Sequence, residues 1–222
     1  MHAGVVVTGL VLAGLTLGCA ASGPPRTGTA EVVQLTGKQL AAALLPASRF
    51  PSGVAVFQAP DSGNRLESGA RVDLATASCG TFYASFNGPG LGESAFASRT
   101  YSTAGFAQQF TQAVYQLRNA DSATTFFRHV RAGFSRCSSA TVGITTISVR
   151  SLSAVPVSGH PSIQLNLTTV SGGQTARLDL VVSVAGLDVF DVINTGLQAP
   201  PPASPDPRTI MSELITRVRS AR

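Results

Sequence analysis

The chain carries two kinds of periodicity, and they separate cleanly along its length. Between Phe106 and Leu117, residues Phe106, Gln108, Phe110, Gln112, Val114 and Gln116 share one face of an extended segment. Ala107, Thr111, Ala113, Tyr115 and Leu117 fall mainly on the other face, which is the period of a strand. Glu93–Tyr101 alternates in the same way. Ser162–Val170 sends Ile163, Leu165 and Leu167 to one side and Gln164, Asn166 and Thr168 to the other. Ile144–Val149 is rich in Thr, Ile and Val, which suit a pleated surface. Ser171-Gly172-Gly173-Gln174 reads as a hairpin turn, and Ala176–Val184 and Leu187–Thr195 form a second hairpin around Ala185-Gly186.

The helical period is clearest over Ala120–Cys137. Ala123, Phe126, Phe127, Val130 and Phe134 recur at three and four, giving one apolar face, and Asn119 is placed to cap its start. Lys38–Leu45 (KQLAAALL) predicts a helix stopped by Pro46. Val72–Phe86 predicts a short helix around Cys79. Pro207–Arg219 predicts a terminal helix with Ile210, Leu214 and Val218 inward and Asp206 or Ser204 as cap. Phe50–Phe57 is compatible with a short strand, and Gln58–Arg71 reads as a loop. The order is helix, helix, two strands, helix, four strands, helix. Tight turns require antiparallel neighbours, so the expected fold class is α+β: a single antiparallel sheet packed by helices on one face.

The amino terminus has neither period. Ala3–Gly18 is an uncharged apolar stretch of signal-peptide length, too short to span a bilayer; it ends in Leu15-Thr16-Leu17-Gly18-Cys19, with Thr16 where leucine is most common, and Ala20-Ala21 follows. This looks like a bacterial lipobox, in which the Cys19 sulfur receives a lipid and the peptide is cut before it. A signal peptide cut elsewhere, or a buried helix, is the alternative. Residues 20–35 are rich in Gly, Pro, Thr and Ser and read as a flexible tether. The expected organisation is a lipoprotein signal peptide over 1–18, a tether over 19–36 and an α+β domain over 37–222.

Composition narrows the function classes. Charged residues make up 12% of the chain and hydrophobic ones 44%, so the chain can build a core and is not held open by self-repulsion. The net charge of +5 comes from basic residues scattered without a run of three. The densest group, Arg128, Arg131 and Arg136, fits a solvated helix face, so nucleic acid is not an expected partner. Three cysteines are present. With Cys19 assigned to lipid, Cys79 and Cys137 remain, and an even remainder in an exported protein reads as a disulfide. Two buried free thiols are the alternative. Two isolated cysteines without CxxC spacing do not make a zinc site.

Catalytic chemistry finds few candidates. His129 falls on the recognised helix and His160 in a turn before Pro161, and neither has a nucleophile at motif spacing. No G-x-S-x-G elbow is present, and Ser171-Gly172-Gly173 lacks the residues of a phosphate loop. Asp188 and Asp191 lie in one strand on opposite faces, which is wrong for paired acid–base work. Asp179 and Asp188 are expected to face each other across the last hairpin as solvated residues. No catalytic residue, metal ligand or cofactor is assigned.

Several segments together resemble a known group. They are Leu44-Leu45-Pro46-Ala47, Leu74-Ala75-Thr76-Ala77-Ser78-Cys79, Gln112-Ala113-Val114-Tyr115-Gln116, the helix Ala123–Cys137 with Phe134 three residues before its cysteine, Gly159-His160-Pro161, and Gly186–Val192. In this order they resemble the extracellular sensor domains of actinobacterial PknH-type Ser/Thr kinases and the exported or lipid-anchored proteins similar to them. The resemblance covers roughly residues 37–220. It implies an antiparallel α+β fold, a disulfide joining the Cys79 and Cys137 segments, and a cleft proposed in the kinase relative to hold an unidentified ligand. The kinase-type domain has two disulfides where this chain has one candidate pair, and Phe134 stands where tryptophan is frequent. The expected function is that of a non-enzymatic envelope lipoprotein. It would meet the membrane through the lipid on Cys19 and bind a small ligand or an envelope protein. A lipid or glycolipid carrier and a structural protein-binding module are the alternatives.

Overall fold

Eight strands make one fully antiparallel sheet in the order β1-β2-β3-β8-β7-β6-β5-β4. The computed structural model describes residues 33–64, 73–86, 92–197 and 205–222. Cys19, the anticipated signal peptide and most of the tether lie outside the described residues. The strands are β1 (Ala55–Gly63), β2 (Ala95–Ser102), β3 (Gln108–Gln116), β4 (Ser139–Val142), β5 (Thr145–Ala154), β6 (Ser162–Ser171), β7 (Gln174–Ala185) and β8 (Asp188–Gly196). The helices are α1 (Gly37–Ala43), α2 (Cys79–Phe86), α3 (Ala120–Arg136) and α4 (Pro207–Ser220). Strands β1–β3 and β4–β8 are two meanders, and the β3–β8 pair joins them in register from Gln108↔Gly196 to Gln116↔Asp188.

Local chemistry sets the helix ends. Thr36 and Gln39 form a reciprocal capping box at α1. The Asn119 side chain accepts from Ser122 N at 2.8 Å at α3, and the Asp206 side chain accepts from Arg208 N at 2.9 Å at α4, where Pro207 takes the first turn. The expected helix over 72–86 begins only at Cys79. Asp73 accepts from Ala75 N at 3.0 Å and from the Thr76 hydroxyl at 3.0 Å, which holds the preceding residues in a turn.

The α+β class and the single antiparallel sheet are as expected; the placement of helices on one face is corrected. Leu180 and Val182 pack in one core cluster and Val181, between them, in the other. Successive side chains of a strand point to opposite faces, so the two clusters lie on opposite sides of the sheet. On the first face, Leu40 and Leu44 around α1 and Ile210, Met211, Leu214 and Val218 of α4 cover Phe110, Val114, Val181, Phe190 and Val192. On the second, Phe82 of α2 and Phe127, Val130 and Phe134 of α3 cover Leu165, Leu180, Val182 and Val189. Central strands buried on both faces lose their alternation, as the run of buried residues Leu180–Ala185 shows.

β4 escapes sequence reading, and β1 is anticipated only at its start, in the segment Phe50–Phe57; residues 58–63, expected as loop, continue the strand. β1 is an edge strand whose register shifts twice, between Val56 and Gln58 and between Gln58 and Asp61, so no alternation survives. β4 has four residues and turns back through Gly143 at φ 59°. The domain also starts before Gly37: Leu35 is buried and its N–H donates to Gln116 Oε1 at 2.8 Å.

Candidate functional site

α4 runs antiparallel to β8 on the first face. Its carboxy-terminal end reaches Asp188, through the Arg222 guanidinium at 2.6 Å. The residues before its first turn meet Asn194, whose Nδ2 donates to Pro205 O at 3.1 Å. The sheet continues past that point. The uncovered ends of β5–β8 form the floor of an open cleft of about 510 Å3. That volume lies in the range of small-molecule sites, roughly 300–1,000 Å3.

Leu167 and Leu178 contribute to the lining, and two rows of mostly polar residues cross it in an order that the strand register defines. In the first row Thr168 of β6 pairs with Arg177 of β7, and Arg177 with Gly196 of β8. In the second, Asn166 pairs with Asp179, and Asp179 with Asn194. Arg150 joins the first row through a bulge. It is the residue skipped between Val149↔Leu167 and Ser151↔Asn166, and its Nε reaches Thr168 Oγ1 at 3.1 Å. Bulges re-aim side chains in this way. Gly196 leaves the floor beside Arg177 without a side chain.

The charges are unevenly satisfied. Among the described residues, the ion pairs involve Arg49, Arg208 and Arg222, so neither Arg150 nor Arg177 has a carboxylate partner. Desolvation at the cleft wall, and then the Asp206 carboxylate, raise Asp179 above the ordinary carboxylate range. Asp206 itself is lowered, chiefly by its hydrogen bond with Arg208.

The residues singled out by sequence fall elsewhere. Cys79 and Cys137 form a disulfide with their Cα atoms 5.4 Å apart. It ties α2 to the end of α3, together with Arg136, which donates to Ala75 O and Ala77 O at 3.0 and 3.1 Å. His129 sits half-buried on α3. His160 closes a two-residue turn in which Val157 and His160 exchange backbone bonds of 3.1 and 2.9 Å around Ser158 and Gly159, both at positive φ. Asp179 does not face Asp188: its partners are Asn166 and Asn194, while Asp188 opposes Ala185. Asp188 is also not solvated, being fully buried on the first face.

Asp191 does lie on the opposite face from Asp188, and it too is buried, with Tyr115 hydrogen-bonded to it and Glu93 close enough to act on Tyr115. Burial pushes Asp191 up to about 7 against the lowering effect of that hydrogen bond. Burial likewise raises Asp188 to about 6, outweighing the attraction of Arg222. Among the described residues, no group of three His, Cys, Asp or Glu side chains is placed to hold a metal ion. On the second face, an apolar recess between Tyr83, Phe134, Ile147 and Leu178 measures about 60 Å3, far below the volume an acyl chain needs.

Sequence reading missed the cleft residues because each one looks like an ordinary outward-facing strand residue. The one usable signal was the rule that places Asn166 and Thr168 on the face opposite Leu165 and Leu167.

No protein-family model matches the chain, and no curated protein matches it. Among solved structures, the extracellular domain of PknH from Mycobacterium tuberculosis is similar at a TM-score of 0.62 and 18% identity, covering 85% of this chain and 98% of that one. An Rv0999 ortholog from Mycobacterium smegmatis aligns at a TM-score of 0.43 and 13% identity, over 82% of this chain and 95% of that one. The antiparallel sheet with its helices thus follows the resemblance drawn from the motifs: this chain has the fold of the PknH extracellular domain.

Proposed function

We propose that this chain is an extracytoplasmic, sensor-like domain that binds a small ligand in the cleft over β5–β8 and is held at the membrane by lipid on Cys19. The observation that carries the binding reading is the cleft itself, with two arginines that lack carboxylate partners among the described residues. The extracytoplasmic reading is supported by the fold shared with an extracellular domain, by the disulfide and by the lipobox-like Leu17-Gly18-Cys19-Ala20. Among the described residues no helix is long and apolar enough to cross a membrane.

Two experiments test this reading. A small-molecule extract of the cell envelope is expected to raise the melting temperature of the wild-type chain and not that of Thr175→Trp, which fills the cleft. No shift in the wild type would reject ligand binding there. Palmitate labelling is expected in the wild type and absent from Cys19→Ala; label in both would remove Cys19 as the acceptor.

A further inference from the structure

Resting on the binding reading above, we infer that the cleft takes a small molecule carrying a phosphate or carboxylate with an ammonium group a few ångströms away. The anionic group belongs to the first row. The Arg150 side chain is brought to Thr168 by the bulge, and Arg177 stands directly across the ladder from the same threonine. Arg150 and Arg177 thus stand on either side of Thr168, each on a strand about 4.8 Å from β6. Two cationic side chains without carboxylate partners among the described residues, one on each side of Thr168, are best offset by an anion, and guanidinium groups suit phosphate and carboxylate oxygens in a bidentate manner.

The ammonium group belongs to the second row. Asp179 is two residues further along β7 on the same face, about 6.7 Å away along the strand. It is flanked on both sides by amides, Asn166 and Asn194. A cation placed there would offset the desolvation and the Asp206 charge that raise Asp179. The Gly196 position, which has no side chain, leaves room beside Arg177 for the ligand to lie across both rows. A two-carbon spacer, which holds anion and amine about 4–5 Å apart, is short enough to lie between rows about 6.7 Å apart.

The test uses the full chain and five probes: O-phosphoethanolamine, β-alanine, ethanolamine, ethyl phosphate and methyl glucoside. Binding is followed by amide chemical-shift changes at Thr168, Arg177, Asp179 and Asn194. O-phosphoethanolamine or β-alanine is expected to bind, with ethanolamine and methyl glucoside at least tenfold weaker. Arg177→Gln is expected to weaken the charged probes about tenfold, the scale of one charge-assisted hydrogen bond. Asp179→Asn is expected to bring O-phosphoethanolamine down to the affinity of ethyl phosphate. Sedimentation with phosphatidylethanolamine vesicles separates the sources. Co-sedimentation lost in Arg177→Gln identifies a lipid head group, and its absence beside binding of the free probe identifies a soluble ligand; both support the assignment. Methyl glucoside binding as well as the charged probes would overturn it. Failure of every probe would also overturn it, whereas the binding reading would still stand if the envelope extract gave a shift that Thr175→Trp abolished.

Discussion

The side chain of Gln112 closes a two-bond ring on the backbone of Leu45: its Oε1 accepts from Leu45 N at 2.9 Å and its Nε2 donates to Leu45 O at 2.8 Å. Gln116 treats Leu35 in the same way, at 2.8 and 2.9 Å. The two glutamines are four residues apart on one face of β3, and the two leucines lie on either side of α1. Each glutamine stands in for a strand that would otherwise pair with the chain entering or leaving the helix. Both are buried, so their amides have no water to fall back on.

Gln112→Leu keeps the volume but orphans Leu45 N; the Tyr101 hydroxyl still reaches Leu45 O at 2.9 Å. The expected loss is about 1–3 kcal/mol, the desolvation cost of a buried donor left unmade. Urea unfolding of the variant checks this, and an unchanged midpoint would show that the ring contributes nothing.

The buried acids give the domain a pH-dependent stability. Asp191 at about 7 and Asp188 at about 6 both lie above the unfolded value of about 3.9. The folded state therefore holds extra protons between about pH 4 and 7, and stability falls as pH rises through that window. At about 1.4 kcal/mol per unit, the loss is on the order of a few kcal/mol. Unfolding midpoints measured at about pH 5 and pH 8 test the sign, and Asp191→Asn is expected to flatten the profile. A wild-type midpoint that rises toward pH 8 would contradict the assignment.

The disulfide closes a separation of 58 residues. In the chain-entropy account its loss costs about 4 kcal/mol. The Cys79→Ser, Cys137→Ser pair is expected to unfold at lower urea while keeping its far-ultraviolet circular dichroism. Arg136 still holds the segment before α2, and the Tyr83 hydroxyl still donates to Cys137 O at 2.6 Å. Equal midpoints with and without reductant in the wild type would argue against the bond.

Gly133 lies where α3 presses on Phe82: a Cβ built there runs into the ring. Alanine raises helix propensity by about 1 kcal/mol at an exposed site, but here overpacking costs about 1–3 kcal/mol and the aromatic cluster of Phe82, Tyr83 and Phe134 must shift. Gly133→Ala is therefore expected to lower the melting temperature. A higher one would show that Phe82 gives way freely.

Much of the fold can be read from the chain because it is written in near neighbours. The three- and four-residue spacing of Phe127, Val130 and Phe134, the caps at Asn119 and Asp206, and the alternation Ile163–Leu165–Leu167 each involve residues within a turn or two of one another. Such patterns survive in any tertiary setting. The sequence alone therefore determined the helices, six of the eight strands, the antiparallel α+β class and the two cysteines available to pair.

The cleft, the two-sided covering of the sheet and the buried roles of Gln112, Gln116, Asp188 and Asp191 were decided only by tertiary structure. Polar residues on a strand read as solvent-facing until something packs on them, and what packs on Gln112, Gln116 and Asp188 comes from far along the chain: α1 from before the sheet and α4 from after it. The floor around Arg177 exists because α4 begins beside Asn194 and does not reach the strand ends. Where a helix starts relative to a sheet formed many residues earlier depends on long-range packing, which no local period encodes.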